Sequence, residues 1–132
     1  MASIFSKIVS GEIPSYKIHE DDKFLAFLDI NPNSIGHTLC IPKEEIDQIF
    51  DLDDKTLSEL IIFSKKVANA IKKAVVCERV GMSVIGLEVP HVHVHLIPIN
   101  NMNDVSYTHL RANEKEADIV CRLMLEKKNW GW

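Results

Sequence analysis

Positive charge is in short supply: fifteen Lys and Arg face nineteen Asp and Glu among 132 residues, a net charge of −4 with the histidines neutral. Such a chain has no electrostatic footprint for nucleic acid or an anionic membrane, so neither is expected as a partner. Long apolar runs are absent too. No stretch approaches the roughly 18 residues that span a bilayer, and Ser3, Lys7 and Glu12 interrupt the region where a signal peptide would keep an unbroken apolar core. A cytoplasmic location is expected. Cysteine is limited to Cys40, Cys77 and Cys121, odd in number and widely spaced, which argues against a disulfide framework or a CxxC metal knuckle and suits buried, reduced thiols. Internal repeats, low-complexity tracts and linkers are missing as well, so residues 1–132 are expected to form a single domain. A chain of this mass buries roughly 68% of its unfolded surface, enough for one core without staples.

What the chain has in excess is histidine: six in all, three of them within the five residues His91 to His95. Around that cluster the pattern predicts eight elements. Ile4, Phe5 and Ile8, at helical spacing after Ser3 and before Gly11, predict a short capped helix. Tyr16 to His19 and Phe24 to Leu28 predict two strands around the polar Glu20-Asp21-Asp22-Lys23 turn. The turn formers from Asp29 to Gly36 lead into a strand from His37 to Ile41, closed by Pro42.

From about Asp53 to Val76 the periodicity is that of an amphipathic helix, with Leu57, Leu60, Ile61, Ser64, Val67, Ala68, Ile71 and Val75 as its inward stripe and lysine pairs on its solvated face. Strands follow at Val80–Ile85 and at His91–Ile99, the latter bracketed by Pro90 and Pro98. A last helix starts at Asn113, with Glu116 at the capping-box position and Ala117, Val120, Cys121 and Met124 inward, and ends near Lys127-Lys128. The fold class expected is α+β, an antiparallel sheet of about five strands with helices packed on it. Two tryptophans, Trp130 and Trp132, suggest that the tail docks on the rest of the molecule.

In an extended chain His91, His93 and His95 point to one face, and Val92, Val94 and Leu96 to the other. One histidine on a strand is ordinarily a satisfied core group; three in strict alternation make a built surface. Two chemistries compete for it. Histidines at i and i+2 can share a zinc ion, but a rise of about 3.3 Å per residue separates His91 from His95 by roughly 13 Å, too far for all three to converge on one tetrahedral ion. Nucleophilic catalysis suits the spacing better: the central imidazole attacks an electrophile while its neighbours orient it and serve the leaving group.

The segment His91-Val92-His93-Val94-His95-Leu96-Ile97-Pro98 resembles the signature of the histidine triad (HIT) nucleotide hydrolases and transferases, and Ile4 to Lys43 is similar throughout to that family's amino-terminal half. The likeness covers about residues 3–98 and implies a HIT-like fold. It also implies hydrolysis or transfer of a nucleoside monophosphate from a phosphoramidate or dinucleoside polyphosphate through a nucleotidyl-histidine intermediate. By position, the resemblance makes His93 the nucleophile, gives His95 the donor role toward the phosphate or departing group, and makes His91 and His37 the hydrogen-bonded support. It places Asp29, followed by Ile30, at the ribose, and Ile4, Phe5 and Ile8 at the nucleobase. On chemistry alone Asp29 serves equally as a turn former before Asn31-Pro32, while the three apolar residues fit a core better than a pocket. His19 and His109 match nothing in the family and are expected at the surface.

Where many relatives have a Gly-Gln-Ser/Thr-Val run that binds phosphate, this chain reads Gly86-Leu87-Glu88-Val89. Glu88 and Val89 therefore stand at substrate-binding positions with altered chemistry: Leu87 cannot donate a hydrogen bond and Glu88 repels phosphate. Many bacterial relatives also hold zinc through a Cys-x-x-Cys near the start; Ser3 and Ser6 occupy those positions, so no such metal site and no cofactor are expected. The resemblance further implies a homodimer through the long helix and a sheet edge. A nucleotide-binding module with little catalysis and a histidine metal-binding protein are the alternatives to an enzyme.

Overall fold

The computed structural model describes residues 2–105 and 114–126. Helix α1 (Ile4–Ser10) is capped as its sequence predicts: Ser3 Oγ accepts the Ser6 N–H at 3.1 Å, and Gly11 ends the helix at φ 86°. Strands β1 (Lys17–Glu20), β2 (Phe24–Leu28), β3 (Thr38–Pro42), β4 (Arg79–Ser83) and β5 (Val94–Ile99) form one sheet in the order β1-β2-β3-β5-β4, antiparallel at every pairing. Among the described residues, helices α2 (Asp54–Ala74) and α3 (Glu114–Glu126) complete the regular structure, with single 3₁₀ turns at Ile49–Asp51 and Met102–Val105. The architecture is the α+β arrangement that the pattern of elements predicted.

The pleat of the sheet divides its apolar residues between two cores. Phe24, Ala26 and Leu28 of β2, Cys40 of β3 and Val94 and Leu96 of β5 face α2 and α3, where they meet Leu60, Val67, Ile71, Cys121 and Met124. Leu25, Phe27, Leu39 and Ile41 face the other way and lie under Phe5 and Ile8 of α1. Every residue of β2 and β3 is buried, because both faces of the central strands are covered. That explains the uninterrupted FLAFL run, which has no solvent face to make polar.

Three expectations shift. The inward stripe of α2 is Leu60, Phe63, Ser64, Val67, Ala70 and Ile71, while Ile61 is exposed. Phe63 is drawn inward by Phe24, 5.5 Å away between ring centroids, and by His19, stacked on it at 5.7 Å. His19 is therefore half-buried against the helix. Second, β4 stops at Ser83, and Ile85 is an exposed loop residue. Third, β5 begins at Val94, so His91 and His93 precede the strand. Only Cys40, Leu39 and Thr38 pair with β5; the His91 N–H turns back to the Val89 carbonyl at 2.8 Å, and the Val92 N–H goes to Ile46 O at 2.7 Å.

In α3, Cys121 and Met124 are buried as expected. His109, Asn113, Lys127-Lys128, the Trp130 and Trp132 tail, and the side chains of Glu116, Ala117 and Val120 lie outside the described residues. Cys40, Cys77 and Cys121 are free thiols, and burial pushes that of Cys40 up to about 12, beyond reach of ionisation. No helix among the described residues is long and apolar enough to cross a membrane.

Candidate active site

Four histidines, from the ends of the loops before β3 and β5 and from β5 itself, meet on the α1 side of the sheet. His37 immediately precedes β3, where it shares a face with Leu39 and Ile41. His95 lies opposite Leu39 across the β3–β5 pairing, and opposite Ser83 on the β4 side. The His37 and His95 rings are 5.1 Å apart between centroids, and those of His93 and His95 are 4.9 Å apart. Val92, Val94 and Leu96 all point into the α2 core. The period-two division of this segment thus holds although its first residues are not in the strand.

Hydrogen bonds fix which nitrogen of each ring carries the proton. A carbonyl oxygen can only accept and a backbone N–H can only donate. His93 Nδ1 lies 2.7 Å from the His91 carbonyl, so Nδ1 carries a proton, and in the neutral ring Nε2 keeps the lone pair. His37 Nδ1 accepts the Asn33 N–H at 3.0 Å, so its proton is on Nε2, which donates to His95 Nδ1 at 2.9 Å. His95 in turn carries its proton on Nε2. A basic nitrogen on His93 and a protonated one on His95 are thereby set on adjacent rings, and the chain of consequences begins at a backbone amide.

His91 is fully buried and does not reach the cavity. Its Nε2–H donates to Pro42 O at 2.7 Å and its Nδ1 accepts the Ser3 hydroxyl at 2.8 Å. Burial holds its pKa below the ordinary histidine value of 6.5, against the Pro42 carbonyl and the charge of Glu45, so the ring is neutral. Glu45 takes the Ser3 N–H and, at 2.8 Å, the Ser6 hydroxyl; these bonds bring its pKa down to about 2. The start of α1 is thus tied through Ser3 to the residue whose carbonyl orients His93. Phe5 adds an edge-on contact, its ring 4.9 Å from that of His93 and 5.9 Å from that of His91.

Asp29 closes the loop before β3. Its Oδ1 accepts the Asn31 N–H at 2.9 Å, an Asx turn, while Oδ2 sits 3.6 Å from His37 Nε2. Gly36, at φ 93°, lets the loop turn back under Val75 and Pro98. Asp29, His37 and His95 bring a carboxylate oxygen and two ring nitrogens within 4.8 Å of one another, a set that could hold a divalent cation. The two ring nitrogens are already hydrogen-bonded to each other, and tetrahedral zinc would need them about 3.3 Å apart.

A cavity of about 440 Å³ opens beside His93, His95 and His37, walled by Asn33, Ser83, Ile97 and Ile99 and by the loop from Ile85 to Glu88. Of the residues the sequence placed at a nucleotide, Glu88 lines this cavity; Ile4, Phe5, Ile8, Asp29, Ile30 and Val89 do not. Phe5 and Ile8 are buried in the smaller core, Val89 packs at its edge, and Ile4 and Ile30 are 45% and 60% exposed. Sequence reasoning missed Asn33, whose contribution is a backbone amide, and Glu45, an unremarkable surface carboxylate by pattern. It also missed Ile97 and Ile99, although their i+2 and i+4 spacing from His95 was the available signal.

The family model of the HIT domain matches residues 10–102. A HIT-like protein of Borreliella burgdorferi is 44% identical over 102 residues, covering 72% of this chain and 73% of that one. The adenosine 5'-monophosphoramidase of Saccharomyces cerevisiae is 41% identical over 127 residues, 95% of this chain and 80% of that protein. Among solved structures, a HIT-like protein of Bartonella henselae aligns with a TM-score of 0.80 at 31% identity, covering 92% of this chain and 93% of that one.

Proposed function

The chain belongs to the HIT family, and from that premise we propose that it is a nucleotide hydrolase acting on the α-phosphate of a nucleoside phosphoramidate, with His93 as nucleophile. The observation that carries the reading is the fixed pair of tautomers in one cavity, an unprotonated His93 Nε2 beside a protonated His95 Nε2. The similarity to a yeast adenosine 5'-monophosphoramidase supports the choice of substrate class.

In this reading His93 Nε2 forms a bond to phosphorus as the P–N bond breaks, in line with it. The departing nitrogen takes a proton through His95 Nε2, which recovers it from solvent. Water then cleaves the nucleotidyl–His93 bond, releasing the nucleoside monophosphate and returning one proton. His37 keeps His95 in the donor tautomer, and His91, held between Ser3 and Pro42, aims the carbonyl that orients His93. Positioned donors around the phosphate oxygens supply the stabilisation that such a transition state needs.

Incubation with adenosine phosphoramidate should release AMP and leave an AMP adduct on His93, detected by mass spectrometry without acid. Undiminished turnover in His93→Ala would rule out this mechanism. Binding of AMP by calorimetry without turnover of any nucleotide would instead favour a non-catalytic module, the reading that Leu87 and Glu88 suggest.

We also propose a homodimer. Support comes from β4, the edge of the sheet, and from Ile61 and Ile62 on the outer face of α2, which expose apolar surface. Light scattering should return about twice 15.0 kDa; a mass near the monomer's would refute it.

A further inference from the structure

The residues that line the cavity beside the histidines include none of α1. The contacts of His91 and His93 with Phe5 mark the end of the site covered by α1. From His95 the cavity follows β5 the other way, over Ile97 and Ile99, under a loop that brings Ile85, Leu87 and Glu88 to its rim. Leu87 is 91% exposed and Ile85 57%, an apolar rim with nothing among the described residues covering it. Among the described residues, Glu88 is the one side chain carrying full charge in the lining, and no Lys or Arg contributes to it. Arg79, opposite Ile99 on β4, is exposed and does not line the cavity.

We propose that this apolar arm with its carboxylate is the leaving-group subsite, built for an amine with an apolar body and a second positive charge, and that it rejects polyphosphate. The inference rests on the phosphoramidate reading above and narrows its substrate. In-line displacement sends the departing group away from the His93 nitrogen, and His95 stands where the arm begins. The P–N bond breaks, the amine leaves with the proton delivered through His95, and its body remains against Ile97, Ile85 and Leu87 until release. A polyphosphate leaving group would carry several negative charges into an arm that has a carboxylate and, among the described residues, no lysine or arginine. An alkyl ammonium meets apolar surface along its body and an opposite charge at its tip.

The test compares kcat/KM of the intact protein for four substrates: unsubstituted adenosine phosphoramidate, its hexylamine and hexamethylenediamine derivatives, and diadenosine tetraphosphate. The diamine derivative should exceed the hexylamine one, and both should exceed the tetraphosphate by about 100-fold or more, since each unpaired charge in a poor medium for it compounds the loss. Glu88→Gln should lower the diamine-to-hexylamine ratio about two- to five-fold, the range for a partly exposed ion pair. Leu87→Ala should lower the ratio of hexylamine to unsubstituted phosphoramidate about three-fold.

Ratios unmoved by both variants would overturn the subsite, because a wall that held the base would alter all phosphoramidates alike. Tetraphosphate hydrolysed as well as the hexylamine derivative would overturn it too. If unsubstituted phosphoramidate is turned over while these ratios fail, only the subsite is wrong. If no phosphoramidate is turned over, the hydrolase reading falls and this one with it.

Discussion

Ser3 performs two separable tasks, and two substitutions distinguish them. Its hydroxyl caps α1 by accepting the Ser6 N–H, and it donates to the Nδ1 of the fully buried His91. In Ser3→Ala both are lost. An N-cap serine is worth about 1 kcal/mol against alanine, and a buried acceptor left without its donor costs about 1–3 kcal/mol, so the expected loss is about 2–4 kcal/mol. Glycine is nearly as good an N-cap as serine, within a few tenths of a kcal/mol. Ser3→Gly therefore isolates the bond to His91 at about 1–3 kcal/mol. The Ser3 N–H to Glu45 survives in both variants, because it belongs to the backbone. Urea unfolding at neutral pH, with equal slopes for the three proteins, measures both differences. Ser3→Gly within about 0.5 kcal/mol of the parent would refute the claim that this hydroxyl satisfies His91, and with it the link from α1 to the orientation of His93.

Three further outcomes follow from the same geometry. His91 has its pKa lowered by burial, so below the ordinary value of 6.5 the unfolded chain binds more protons than the folded one. Stability should accordingly be full above that value and fall as pH drops from it toward the folded pKa, the slope being shallower in His91→Gln; urea midpoints between pH 7.5 and 5 check this. Gly36→Ala puts a Cβ 2.9 Å from Val75 Cγ2 at a φ of 93°, and should lose about 1–3 kcal/mol by thermal or urea unfolding. His37→Ala removes the ring that holds His95 in its donor tautomer. It should lower kcat on adenosine phosphoramidate by about 100-fold, with KM little changed, and NMR of the His95 ring should show its tautomer preference lost.

The period-two pattern from His91 to Leu96 was legible because burial leaves its mark on alternate residues. Once Val92, Val94 and Leu96 are assigned to a core, the histidines have only the other face. The FLAFL strand, the serine and glycine caps of α1 and the length of α2 were readable for the same kind of reason, being local in sequence. The stripe of α2 was misjudged by part of a turn, since what draws Phe63 inward is Phe24 and His19, some forty residues away. Asp29 illustrates the limit from another side: both a turn role and a site role fit the residue, and its two oxygens face Asn31 and His37 respectively.

By itself, then, the sequence determined the elements, their order and the gathering of three imidazoles on one side of the segment that leads into β5, because these follow from short-range periodicity and turn chemistry. It could not determine the protonation of any ring. That was decided by a backbone amide at Asn33, carbonyls at His91 and Pro42 and the hydroxyl of Ser3. Backbone groups are the same in every residue and carry no letter of their own. The closing of the loop before β3, the course of the segment from His91 to His93 past Pro42, and the docking of α1 bring them within hydrogen-bonding distance of the histidines.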